Sequence, residues 1–240
     1  MKTTIKFSAI ISLISSLCSC SIYVPNSVNA PMFTKKGETQ INASVGTGVN
    51  VQGAYAVSDH LGIIANGYFN NTTTTINNDD TRKGNGKLFE AGVGYFTKAD
   101  NGVAFETYVG AGFGNLTIDK SVVSTKSNKA FETSATKIFI QPTIGYAAKH
   151  FELGFTPRFT MMKYQKPTTT YSAAELAADK FVNIDQTNWL FIEPTLTIRA
   201  GGEKLKGQVQ LGRSFKLNSQ DLGYSAGILN FGIVYKFGGK

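Results

Sequence analysis

From Leu229 to Phe237 the chain reads Leu-Asn-Phe-Gly-Ile-Val-Tyr-Lys-Phe, with large apolar side chains at Leu229, Phe231, Ile233, Tyr235 and Phe237, every second residue. A period of two belongs to a strand and not to a helix. Asn230, Gly232 and Lys236 occupy the other face, with Val234 the one apolar exception. Similar alternation recurs along the chain, and beyond the N-terminus no apolar run approaches the ~20 residues of a membrane helix. A helical membrane protein is therefore excluded. The chain must instead form sheet with one apolar and one polar face.

Its 240 residues suit one large β domain. With 17 Phe, 10 Tyr and 25 Gly against only 6 Pro, the composition fits strands packed on a curved surface better than a disordered chain.

The N-terminus reads as an export signal over residues 1–19. Lys2 and Lys6 supply the basic region, and Phe7 to Leu17 is apolar but too short to span a bilayer. Leu17-Cys18-Ser19-Cys20 resembles a bacterial lipobox, which implies a lipoprotein with palmitate-type acylation at Cys20; ordinary signal cleavage nearby is the alternative. Both cysteines lie here, so the body contains neither a disulfide framework nor a thiolate metal site. Residues 20–38, with Pro25, Pro31 and several Asn and Ser, read as an extended linker that tethers the domain at 39–240. Tyr23-Val24-Pro25-Asn26, Ala30-Pro31-Met32-Phe33 and Lys36-Gly37-Glu38 resemble the segment before the barrel in small outer-membrane proteins of Bacteroidota.

Between Thr39 and Phe237 the pattern predicts ten strands of about the 9 to 11 residues that a tilted membrane strand needs. They are Thr39 to Gly46, Val49 to Val57, Leu61 to Phe69, Lys87 to Phe96, Val103 to Phe113, Thr136 to Ala147, Phe151 to Tyr164, Trp189 to Ala200, Leu205 to Phe215 and Leu229 to Phe237. Asn70 to Gly86, Gly114 to Ala135 and Gln165 to Asn188 read as long polar loops, the last with a short helix within Ser172 to Lys180. After the first hairpin, short and long connections alternate, as in outer-membrane barrels with short periplasmic turns and long outer loops. An even strand count puts both termini on the periplasmic side. Ile138-Phe139-Ile140-Gln141-Pro142-Thr143-Ile144 parallels Leu190-Phe191-Ile192-Glu193-Pro194-Thr195-Leu196, and bulges are expected at Pro142 and Pro194, since proline removes a ladder donor.

Alternation alone does not say which face is inside. In a soluble lipocalin-like barrel the apolar set surrounds a ligand, whereas in a membrane barrel it faces lipid. The polar face here is rich in Gly, Gln, Thr, Glu and Arg, charges that pair readily if they share a lumen. Within the seventh and eighth strands, the numbers of Glu152 and Arg199 add to the same total as those of Arg158 and Glu193. One antiparallel register therefore opposes both pairs, and a filled lumen is expected.

Little in the sequence suggests catalysis. His60 and His150 both sit in short turns on the expected periplasmic side, and the pattern assigns no catalytic residue. Asp79-Asp80 offers a hard cation at most a carboxylate pair in a polar loop, so neither metal nor cofactor is expected. Gly110-Ala111-Gly112-Phe113-Gly114 lies on a strand with no helix after it and is not a phosphate loop. The net charge of +8 is scattered over turns and loops, which argues against nucleic acid.

The expectation is thus an all-β fold: a single antiparallel up-and-down transmembrane β-barrel of about ten strands, with eight or twelve as alternatives. The closing strand, with its aromatic near the C-terminus, resembles that of Gram-negative outer-membrane barrels. That resemblance implies insertion by the barrel-assembly machinery through this strand, and outer-membrane lipids and lipopolysaccharide as surroundings. A non-enzymatic outer-membrane lipoprotein, anchored on the periplasmic side with its loops outside, would serve envelope structure, surface contact or adhesion through an unknown surface partner. The alternatives are a narrow channel or porin-like transporter for small solutes, and a soluble lipocalin-like carrier.

Overall fold

The computed structural model describes residues 21–76, 80–99, 101–122 and 127–239. The expected signal peptide, Cys20 and Asp79 lie outside the described residues. Ten long strands follow one another: β1 Glu38–Gly46, β2 Val49–Ala56, β3 Leu61–Ile76, β4 Asp80–Lys98, β5 Val103–Val122, β6 Ser127–Ala147, β7 Phe151–Tyr164, β8 Asn188–Gly201, β9 Leu205–Arg213 and β10 Gly227–Gly238. Each pairs antiparallel with the next, and β10 pairs with β1 from Glu38↔Gly238 to Gly46↔Asn230. The sheet is therefore a closed barrel with no long free edge. Helix α1, Ala173–Ala178, lies in the connection from β7 to β8, and Ser172 and Glu175 form a capping box at its start.

The apolar set faces outward on every strand. Ile41, Val51, Ile63, Phe89, Val109 and Ile233 are all about half exposed, whereas Gln52, Glu90, Gln141, Arg158 and Gln210 are buried inside. Tyr55, Tyr95, Tyr146 and Tyr235 ring the outside near the short turns, and Phe69, Phe89, Phe113 and Phe215 ring it further along. An apolar belt between two aromatic girdles, around a polar interior, is the surface of a barrel embedded in a bilayer. A soluble carrier needs the opposite arrangement.

Two stretches expected as loops, 70–86 and 114–135, are strand over their described residues, 70–76 with 80–86 and 114–122 with 127–135. The β3–β4 ladder continues to Ile76↔Asp80 and the β5–β6 ladder to Val122↔Ser127. Beyond Phe69 and Phe113 the outward positions become Asn71, Thr73 and Thr75, then Asn115, Thr117 and Asp119. Polarity on the outer face reports that these hairpins stand in water, not that their backbones are unpaired. Threonine suits such strands through its β-branch. The barrel is consequently lopsided, with a high wall built by β3 to β6 and a low rim elsewhere. Helix α1 is fixed to the high wall by Arg82–Asp179 at 2.6 Å and Lys129–Glu175 at 2.6 Å.

No register shift occurs at the prolines. The β6–β7 ladder has the same register on both sides of Pro142, and it merely lacks pairs between Ile140↔Phe159 and Ile144↔Phe155. Pro142 stands opposite Pro157 there, and Pro157 pairs with Pro194. Two facing prolines have no N–H to exchange, so the ladder opens without slipping. Pro194 likewise has no N–H to offer β9, where it falls opposite Arg213: Gly212↔Thr195 is the last regular pair, and the register resumes unchanged at Phe215↔Ile192.

The linker does not trail from the barrel. Residues 22–33 run through the lumen, and Val28, Asn29, Ala30 and Ser27 are wholly buried. The segment starts at the high-wall end, where Ile22 donates to the Gly223 carbonyl and Tyr23 bridges Tyr224. It ends at the short turns, where Gly37 donates to the Ala56 carbonyl before β1 begins.

Candidate functional site: a lumen closed by the N-terminal segment

Alternation puts polar side chains inside, and closure brings together charges from strands far apart in sequence. Across β7 and β8, Arg158 pairs with Glu193 and Glu152 with Arg199 in one register. Arg158 Nε lies 2.8 Å from Glu193 Oε2, and Arg199 Nη1 lies 2.9 Å from Glu152 Oε2. Glu152 also gathers Lys236 of β10 at 2.8 Å and Lys206 of β9 at 3.2 Å. Arg199 donates further to Gln208 and Gln40.

A third pair joins Glu90 of β4 to Lys137 of β6 at 2.8 Å, both fully buried. These strands are not neighbours, because β5 runs between them. Gly112 is the residue in register with both, and a Cβ there would come within 2.9 Å of Glu90 Cγ. The missing side chain opens the passage across which the two charges meet. The glycine run of β5 thus serves close approach, since Gly110 likewise accommodates the Phe139 ring.

Burying such pairs is energetically close to neutral against an apolar core, while removing one partner is expensive. Their consequence is a lumen that needs a polar, hydrogen-bonding filling, which the N-terminal segment supplies. Asn26 sits at the centre: its Nδ2 donates to Glu90 at 2.8 Å, and its side-chain oxygen accepts from Lys137 at 2.9 Å. Tyr23 donates its hydroxyl to Glu193 at 2.5 Å. Gln210 accepts from the Val28 amide at 3.1 Å and donates to the Val28 carbonyl at 2.8 Å, as a neighbouring strand would. Gln52 donates to the Ser27 carbonyl, Gln141 to the Asn29 carbonyl, and Met32 donates its amide to Glu106. An extended segment with no sheet partner over most of its length thereby has its backbone groups satisfied by side chains. Near the short turns Phe33 packs on Ile64, Phe96 and Tyr108 and closes that end with apolar contact.

Leu229, Phe231, Ile233, Tyr235 and Phe237 all lie on the outer face of β10, between β1 and β9. His60 and His150 are in separate short turns, where each ring Nδ1 meets a backbone carbonyl, Phe96 at 3.3 Å and Gly201 at 3.1 Å. Among the described residues no group of three metal-ligating side chains forms. Asn26, Glu90 and Lys137 were not among the residues picked out from sequence. A short Asn-Ser-Val-Asn run carries no periodicity, and a pair that skips a strand obeys no adjacent-strand register.

No protein-family model matches the sequence, and no curated protein matches it. Solved structures with a similar chain path include the translocator domain of the autotransporter NalP from Neisseria meningitidis, at 12% identity and a TM-score of 0.48, over 84% of this chain and 87% of that one. A major outer membrane protein from Thermus thermophilus is 12% identical with a TM-score of 0.41, over 84% and 99% of the two chains. The outer membrane protease OmpT from Escherichia coli is 11% identical with a TM-score of 0.43, over 85% and 94%. The second and third are outer-membrane proteins by name, and likenesses this distant carry nothing about activity.

Proposed function

We propose that this chain is a non-enzymatic outer-membrane barrel of a Gram-negative bacterium, closed by its own N-terminal segment and acting through its surface. Envelope structure, surface contact or adhesion is its role, with the high wall of β3 to β6 and helix α1 facing outside. Cys20 is acylated after signal removal. Outer-membrane lipid and lipopolysaccharide surround the belt, and the assembly machinery engages the strand that ends near Phe237. The observation that carries this reading is the hydrogen bonding of Asn26 to Glu90 and Lys137, which places the N-terminal segment in the middle of the lumen.

Planar-bilayer recording tests it. The full-length protein should show no steady single-channel current, and a protein lacking residues 22–34 should conduct, because the charged lumen then fills with water. Steady currents from the full-length protein would overturn the closed-barrel reading in favour of a channel for small solutes.

A further inference from the structure

The filled lumen stops short of the high wall. Above the level of Tyr23, a cavity of about 860 Å³ opens between the N-terminal segment and the inner faces of β3 to β7. That volume lies within the roughly 300–1,000 Å³ of ordinary ligand cavities. Its lining is mixed: Ile22, Leu88, Leu116, Ile118 and Met162 give it an apolar side, and Asn70 to Thr75, with Arg82 and Lys87, a polar one. Beside it the high wall is well packed: Phe131, Phe181, Ile184 and Trp189 form one buried cluster with Ile22 and Met162. Leu116 packs against the edge of that cluster and also borders the open space. The lumen is otherwise polar at mid-height, so this is a second and chemically different compartment.

Where the chain enters suggests what fills it. Ser21 lines the cavity, and Ile22 is fixed there by the hydrogen bond from its amide to the Gly223 carbonyl and by the Tyr164 hydroxyl on its own carbonyl at 3.2 Å. Cys20 directly precedes Ser21 in the sequence, and consecutive Cα atoms lie about 3.8 Å apart across a trans peptide. The segment from Ile22 to Phe33 occupies the lumen, so the short-turn end lies a whole barrel crossing away from Ser21.

We propose that an acyl chain carried by Cys20 occupies this cavity, so that the lipid of the mature protein is held at the high-wall end, away from the short turns. The proposal rests on the acylation reading of Cys20. An acyl chain offers apolar surface to the sides of Leu88, Leu116, Ile118 and Met162 that face the cavity, and its attachment point is one residue before Ser21, which lines that cavity. Burial there keeps the chain out of water, as burial of methylenes favours. It also locks the N-terminal segment in the lumen, because withdrawal toward the short turns would drag the acyl chain through charged side chains.

The experiment uses protein purified from its own outer membrane after growth with a diazirine-bearing palmitate analogue. The mass of the N-terminal peptide is read first, and cross-links are mapped after irradiation. Label on Cys20, with cross-links to Leu116 and Met162, is the expected result. Leu116→Trp fills the cavity and should abolish those cross-links while the acyl mass on Cys20 stays; Leu88→Trp, on a neighbouring strand, does the same should the first variant fold poorly. An unacylated Cys20 would remove the acylation reading and this proposal with it. Acylated Cys20 whose cross-links reach only bilayer lipid or outward residues such as Phe113 would overturn the proposal and leave acylation standing. Cavity cross-links that persist in Cys20→Ala would also overturn it, assigning the cavity to a free lipid.

Discussion

Arg158 donates from Nη2 to the main-chain oxygen of Asn26 at 2.9 Å while its Nε holds Glu193 at 2.8 Å. One guanidinium thus ties the barrel wall to the segment that fills it. Such a site uses the fixed fork of arginine, and lysine offers no equivalent geometry. Arg158→Met should destabilise the barrel by about 3–5 kcal/mol, the cost of leaving a buried carboxylate unpaired. Arg158→Met with Glu193→Gln together should cost less than the two singles added, read from denaturant unfolding in detergent as a double-mutant cycle. A coupling energy of zero would mean that the pair is wet.

Gly112 is the gap through which Glu90 and Lys137 meet. Gly112→Val should break that pair and destabilise by more than the roughly 1–3 kcal/mol of simple overpacking. Gly53 is the control, because a Cβ there meets nothing within 4 Å. Gly53→Val should unfold at the same denaturant concentration as the parent. Equal effects of the two valines would show that Gly112 matters only for backbone shape.

Orientation is checked by labelling in whole cells. A cysteine at Ala174, exposed on helix α1, should react with a membrane-impermeant maleimide on intact cells, and one at His150 only after the outer membrane is opened. The reverse pattern would invert the barrel.

Glu175 joins helix α1 to the high wall outside the belt. The hydrogen bond from Lys129, followed by those from the Ser172 backbone and hydroxyl, holds its carboxyl down to about 2. A carboxyl depressed below its unfolded value of about 4.3 contributes above that value, and the contribution disappears as pH falls through the folded one. Helix α1 should therefore keep its docking from neutral pH to about 4 and lose it toward about 2. Amide exchange of Leu176 and Ala177 measured against pH should show that profile, and Glu175→Gln should flatten it.

Period-two alternation determined by itself that this chain makes a sheet of about ten strands with an apolar and a polar face, because strand geometry sends successive side chains to opposite sides. Strand count and order were legible for the same reason, as were the short turns, which follow from local residues. Other features depended on closure. Polar composition at 70–86 and 114–135 signalled water, and only cross-strand pairing distinguished a solvated hairpin from a loop. Pro142 reads as a bulge until Pro157 is placed opposite it. Lys206 and Lys236 reach Glu152 because the curved sheet turns the inner faces of β9 and β10 toward that of β7, and Glu90 reaches Lys137 because a glycine stands between them. Residues 22–33 looked like a tether since nothing local holds them. Their partners are Glu90, Lys137, Arg158 and Gln210, each on a different strand, and those partners form a site only once the barrel has enclosed it.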